Sequence, residues 1–233
     1  MKKAASVCMT TVLALTLLAG GPVQALALAP KDAAPSAAAA ENCISGSWKQ
    51  ASDPTVSETV RKMCDKAFEG LLGADYTPAA VLAERTTTSG NQYRVLCRRT
   101  VVVPGAEEEY VVVTLQRGWL GRTELLDIGE PLCPTDLSAG VLAGGWQEAD
   151  SPALTGPAAE AFRKATGALV GVDYVPVALL STQSVAGTNY RVLCEATVVY
   201  PGAEPYYAVV TVHEGLDGSA EILSIRSSAD NGK

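Results

Sequence analysis

Tyr190-Arg191-Val192-Leu193-Cys194 repeats Tyr93-Arg94-Val95-Leu96-Cys97 without a change, 97 positions along the chain. The repetition continues outward on both sides. Pro201-Gly202-Ala203-Glu204 repeats Pro104-Gly105-Ala106-Glu107. Gly171-Val172-Asp173-Tyr174-Val175-Pro176 returns Gly73-Ala74-Asp75-Tyr76-Thr77-Pro78, and Gly144-Gly145-Trp146-Gln147-Glu148 returns Gly46-Ser47-Trp48-Lys49-Gln50. The two tryptophans stand 98 apart, so one residue was gained or lost just before the first hairpin. Matches this long and collinear make the chain two copies of one small unit.

Both copies read in the same order. A short segment holds Trp48 or Trp146. A helix follows, with Val56, Val60, Met63, Cys64, Ala67 and Leu71 at helical spacing in the first copy, and Ala158, Ala161, Phe162, Ala165 and Leu169 in the second. Gly156-Pro157 suits the start of the second helix. Gly73 and Gly171 are expected to end the helices as left-handed glycines. Four strands follow, in the second copy near 174–181, 188–200, 206–213 and 220–227. Asp217-Gly218 marks a tight turn between the last two. Tyr190, Val192, Cys194, Ala196 and Val198 alternate and share the face expected under the helix. A helix followed by an antiparallel meander predicts an α+β fold, two tandem domains, each a helix packed on a curved antiparallel sheet.

The first hairpin of the second copy is Gln183-Ser184-Val185-Ala186-Gly187. Gly187 can take a positive φ at little cost, and Val185 places an apolar side chain on an exposed turn. This stretch resembles the Gln-x-Val-x-Gly hairpin of the cystatins, inhibitors of papain-like cysteine proteases. Thr188-Asn189-Tyr190 is similar to the stefin branch. The resemblance implies two cystatin-like domains and a wedge of three pieces in the second. Leu142, Ala143, Gly144 and Gly145 look like the N-terminal trunk, Gln183 to Gly187 like the first hairpin, and Leu216-Asp217 like the second. The implied contact residues are therefore Leu142, Ala143, Gly144, Gly145, Gln183, Ser184, Val185, Ala186, Gly187, Leu216 and Asp217.

The first copy departs from this pattern. Thr86, Thr88 and Gly90 stand where Gln183, Val185 and Gly187 stand, so the glycine alone survives. Gly118-Trp119-Leu120-Gly121 resembles the second hairpin without its proline. Gly90, Trp119 and Leu120 are candidate contacts. The first copy is read as a spacer or as a binder of a different partner. Trp48 and Trp146 are read as core anchors.

The totals narrow the alternatives. Of 233 residues, 25 are acidic and 18 basic, a net charge of −7 that argues against nucleic acid as the main partner. Met1-Lys2-Lys3, an apolar run from Val12 to Gly20, and the small-x-small triplets ending at Ala27 and Ala29 read as an export signal. The expected organisation is a signal peptide over 1–29, a spacer over 30–45, a first repeat over 46–129, a linker and trunk over 130–143, a second repeat over 144–228 and a tail over 229–233. Five cysteines follow the signal, Cys43, Cys64, Cys97, Cys133 and Cys194, and an odd number leaves at least one unpaired within the chain. Cys64 with Cys97, or Cys43 with Cys133, are both open as pairs. Cys-x-x-Cys spacing and Gly-rich phosphate loops are missing, and the single histidine, His213, has no nucleophile beside it in sequence. Glu107-Glu108-Glu109 reads as a solvated tip.

The expectation is thus a secreted, reversible inhibitor of papain-like cysteine proteases, not an enzyme, a monomer without cofactor or metal, binding neither nucleic acid nor, after signal cleavage, a membrane. The alternative is a secreted binding or structural module that does not inhibit.

Overall fold

The computed structural model describes residues 46–137 and 144–227. The expected signal peptide, spacer and tail, together with Cys43, Leu142 and Ala143, lie outside the described residues. The first repeat contains β1 (Lys49–Gln50), α1 (Glu58–Phe68), β2 (Ala74–Thr87), β3 (Gly90–Val101), β4 (Glu108–Gly118) and β5 (Thr123–Pro134). The second contains β6 (Trp146–Glu148), α2 (Gly156–Thr166), β7 (Val172–Val185), β8 (Gly187–Val198), β9 (Tyr206–Glu214) and β10 (Ala220–Ser227). The strands form two five-stranded sheets in the orders β1-β2-β3-β4-β5 and β10-β9-β8-β7-β6, with every named neighbour antiparallel.

This corrects the α+β assignment. Strand accounts for 55% and helix for 12% of the described residues, and the two helices are short. The fold is β-rich, not a pair of helix-on-sheet domains. The physical reason is that both faces of each sheet are covered. Val95 and Cys97 face α1 through Val60, Met63 and Cys64, while Val192 and Cys194 face α2 through Ala158, Ala161 and Phe162. Between these residues, Leu96 and Leu193 point the other way, into a single core that both repeats build. Ala80, Leu82, Tyr110 and Leu132 enter it from the first sheet, and Val177, Ala178, Leu180 and Val209 from the second. Strands buried on both faces read as continuous apolar runs, which is what Val-Leu-Cys is in each copy.

The two sheets meet with corresponding strands running in opposite senses. Gln50, beside Ala83 of β2, donates to the Pro176 carbonyl at 3.0 Å. Arg98, beside Thr77 of β2, pairs at 3.2 Å with Glu148, which lies beside Ser181 of β7. Moving up β2 from Thr77 to Ala83 therefore moves down β7 from Ser181 to Pro176. The hairpin ends of the two repeats point opposite ways.

Local chemistry explains the element ends. Ser57 caps α1 by accepting from the Val60 amide at 3.3 Å, and Gly156 with Pro157 opens α2. The helices stop at Phe68 and Thr166, earlier than Gly73 and Gly171 predict, and Leu71 and Leu169 are consequently exposed. Glu108 and Glu109 are in β4 rather than at a solvated tip. Glu109 pairs with Arg99 at 2.6 Å, and Glu108 accepts from the Thr135 hydroxyl at 3.0 Å.

Candidate functional site

The β6–β7–β8–β9–β10 order places three connections at one end of the second sheet. These are the segment entering β6, the β7–β8 hairpin and the β9–β10 turn. Trp146 pairs with Gln183 one strand away from the Val185–Gly187 closure, and Thr188 pairs with Glu214 just before the β9–β10 turn. Gly144, Val185 and Leu216 thus lie in sequence along one sheet end.

The β7–β8 hairpin is tighter than its sequence suggests. Ser184 pairs with Thr188 and Val185 with Gly187, leaving Ala186 alone as the connection. Val185 is 45% exposed at the tip. Both polar ends of the Gln183 side chain are engaged within the chain. Its Nε2 donates to the Gly144 carbonyl at 2.7 Å, and its Oε1 accepts from Asn189 Nδ2 at 2.7 Å. Asn189 Oδ1 is in turn 2.7 Å from His213 Nδ1. Gln183 therefore ties Gly144 to the hairpin, and His213 has an amide as its partner rather than a nucleophile.

Gly187 has a φ of +119°, and a Cβ there would lie 2.1 Å from the Glu214 carbonyl oxygen. The same holds for Gly90, with a φ of +139° and a Cβ 2.1 Å from the Arg117 carbonyl oxygen. The glycine shared by both repeats is required where β9 or β4 crosses close to the start of β8 or β3. It is a condition of this hairpin's folding, whatever the hairpin meets.

In the β9–β10 turn, the Gly215 amide donates to the Ser219 carbonyl at 2.9 Å and the Gly218 amide donates to the Gly215 carbonyl at 2.9 Å. Asp217 is used inside the turn. Its Oδ1 accepts from the Ser219 hydroxyl at 2.6 Å and amide at 3.0 Å, which holds its carboxyl below the usual range. Leu216 is left as the outward group, 87% exposed.

The first repeat has the corresponding end, facing the other way. Leu120 is fully exposed, and Trp119 is 65% exposed with its indole N–H donating to the Thr88 carbonyl at 2.9 Å. That bond ties the β4–β5 turn to the β2–β3 hairpin. Trp119 is thus a surface residue with its polar edge satisfied, and Gly90 is buried within the hairpin.

Two features escaped the sequence reading. Trp48 and Trp146 are half-buried and covered by arginines: Arg85 and Arg94 each lie 4.3 Å from the Trp48 ring centre, and Arg191 lies 4.0 Å from that of Trp146. The recurrence of both Trp and Tyr-Arg in each copy was the available signal. The hold of Gln183 on Gly144 had no signal in sequence, since the two are 39 residues apart.

No protein-family model matches the chain, and no curated protein matches it significantly.

Proposed function

We propose that the end of the second sheet is a protein-binding edge, and that its partner is a papain-like cysteine protease whose cleft it blocks reversibly outside the cell. The single observation that carries this reading is the alignment of Gly144, Val185 and Leu216 along one sheet end, with two of the three presenting exposed apolar side chains. A row of short protrusions suits an elongated cleft. Val185 and Leu216 would bury apolar surface there, each worth about 1.5–3 kcal/mol when fully covered. The Gly144 carbonyl is held by Gln183 before any partner arrives, which lowers the ordering cost at that point of the edge. Blocking a nucleophile in this way needs no covalent step and no cofactor.

A second reading is a non-inhibitory binding module. It is favoured by Gly187 and Gly90, because the strand crossing requires both and the glycine therefore says nothing about proteases.

The experiment is inhibition of a panel of papain-like proteases by the full chain, by Val185→Asp and by Leu216→Asp. The inhibitor reading expects each variant to weaken inhibition by at least about tenfold with an unchanged Tm. Wild-type protein that inhibits none of the panel gives the function to the second reading.

A further inference from the structure

The helix of the first repeat carries Cys64 where the helix of the second carries Phe162. Both repeats keep a cysteine on the strand beneath, Cys97 in β3 and Cys194 in β8. Cys64, Cys97 and Cys194 are all fully buried. Cys64 and Cys97 sit in one core with Val60, Met63, Val95 and Val111. Both are free thiols in the structure and share this buried cluster, Cys64 on α1 and Cys97 on the strand beneath it. A hydrogen bond between the two thiols holds the pKa of Cys64 down, and that bond together with burial pushes the pKa of Cys97 up. Cys194 has Phe162 in its cluster instead, and its thiol turns to the Val192 carbonyl of its own strand at 3.6 Å.

We propose that Cys64 and Cys97 form a disulfide that staples α1 to β3, while Cys194 remains a thiol. The oxidant is a disulfide, either oxidised glutathione or the disulfide of an oxidoreductase. The Cys64 thiolate attacks it, one sulfur of the oxidant leaves as a thiol, and a mixed disulfide remains. The Cys97 thiolate then displaces the second sulfur from Cys64, which leaves as a thiol with the proton Cys97 gave up. Two S–H bonds are lost, one S–S bond forms, and the oxidant takes both electrons. Because the docked helix seals both sulfurs, the exchange belongs to folding, before α1 closes over β3. The bridge closes a span of 33 residues in the unfolded chain, from Cys64 to Cys97, which restricts that state. It does not depend on which partner the hairpins meet.

The test is to unfold and reduce the full chain, refold it in a glutathione redox buffer, alkylate remaining thiols under denaturing conditions, and map peptides by mass spectrometry. The expected result is a peptide pair cross-linked through Cys64 and Cys97, with Cys194 alkylated. Protein refolded fully reduced should melt about 5–15 °C lower than the bridged protein. Alkylation of both Cys64 and Cys97, or a cross-link from Cys64 to Cys43 or Cys133, overturns the bridge. A Cys64–Cys97 cross-link with equal melting of the two forms overturns its role as a staple.

Discussion

The guanidinium of Arg191 lies 4.0 Å above the ring of Trp146, and the same arginine holds the joint between the repeats. Its Nη1 donates to the Thr135 carbonyl at 2.6 Å and its Nη2 meets the Asp136 carboxylate at 2.5 Å. Arg191 is only 8% exposed, so its charge depends on these partners. Arg94 repeats the stacking on Trp48 at 4.3 Å. A planar, forked cation suits a position that must stack on a ring and bond two oxygens at once. Arg191→Ala is expected to cost roughly 2–4 kcal/mol, and Arg191→Lys less, because the charge stays but the fork and the stack are lost. Chemical denaturation of the three proteins measures this. Equal stability of wild type and Arg191→Ala would show that the joint is held by other contacts.

The repeats share a core, so the second is not expected to fold alone. A fragment beginning at Leu137 would leave Ala178, Leu180, Leu193 and Val209 without the first sheet. It should melt without cooperativity or aggregate, whereas the sequence by itself suggested two tandem domains. In the full chain, Leu193→Ala should cost about 2–5 kcal/mol and broaden no separate transition for either repeat. Calorimetry of chain and fragment decides the matter. A sharp melt of the fragment would return independence to the repeats.

Gly187→Ala is expected to destabilise the fold by about 1–3 kcal/mol or more, since even the smallest side chain meets the Glu214 carbonyl. Gly90→Ala should do the same in the first repeat, through Arg117. Substitution of Gly187 is thus a poor probe of binding. A Tm for either variant equal to wild type would contradict that strand crossing.

Gln183→Ala separates positioning from contact. It removes the bond to the Gly144 carbonyl and the partner of Asn189, while Val185 and Leu216 keep their exposure. Amide exchange should quicken around Gly144 and Gly145 and stay slow in β8. If the inhibitor reading holds, the inhibition constant should weaken less than for Val185→Asp. His213→Gln, by contrast, should leave it near wild type. A loss of function as large as for Val185→Asp, with the fold intact, would make His213 part of the site.

Acid should loosen the β9–β10 turn. The Ser219 hydroxyl and amide depress the folded-state value of Asp217 below its unfolded value. The contribution of this carboxylate is therefore present above the unfolded value and lost as pH falls through the folded one. Amide exchange at Ser219, corrected for its intrinsic pH dependence, should lose protection only below the ordinary carboxylate range. Asp217→Asn should remove that dependence. Protection that is flat through acid pH in the wild type would mean that the turn stands without the charge.

The repeat, the order of its strands and the places of its turns were legible in the sequence, because they are local. Tyr-Arg-Val-Leu-Cys recurs intact, Asp217-Gly218 can make few things but a turn, and Gly156-Pro157 opens α2 where it should. Val185 was legible as an exposed apolar tip for the same reason. What covers the second face of each sheet was not. Periodicity reports that Leu96 and Leu193 are apolar, but it cannot say that they meet each other's sheets rather than solvent or a helix. That choice, and the opposed directions of the hairpin ends, comes from the packing of surfaces distant in sequence. The same limit hid the reason for Gly187, whose neighbour Glu214 is brought close only by the register of β8 on β9. It also hid the hold of Gln183 on the Gly144 carbonyl, because the two residues lie 39 positions apart in the chain. Local order follows from the chain's own chemistry, while burial partners are decided by what the folded sheets bring together.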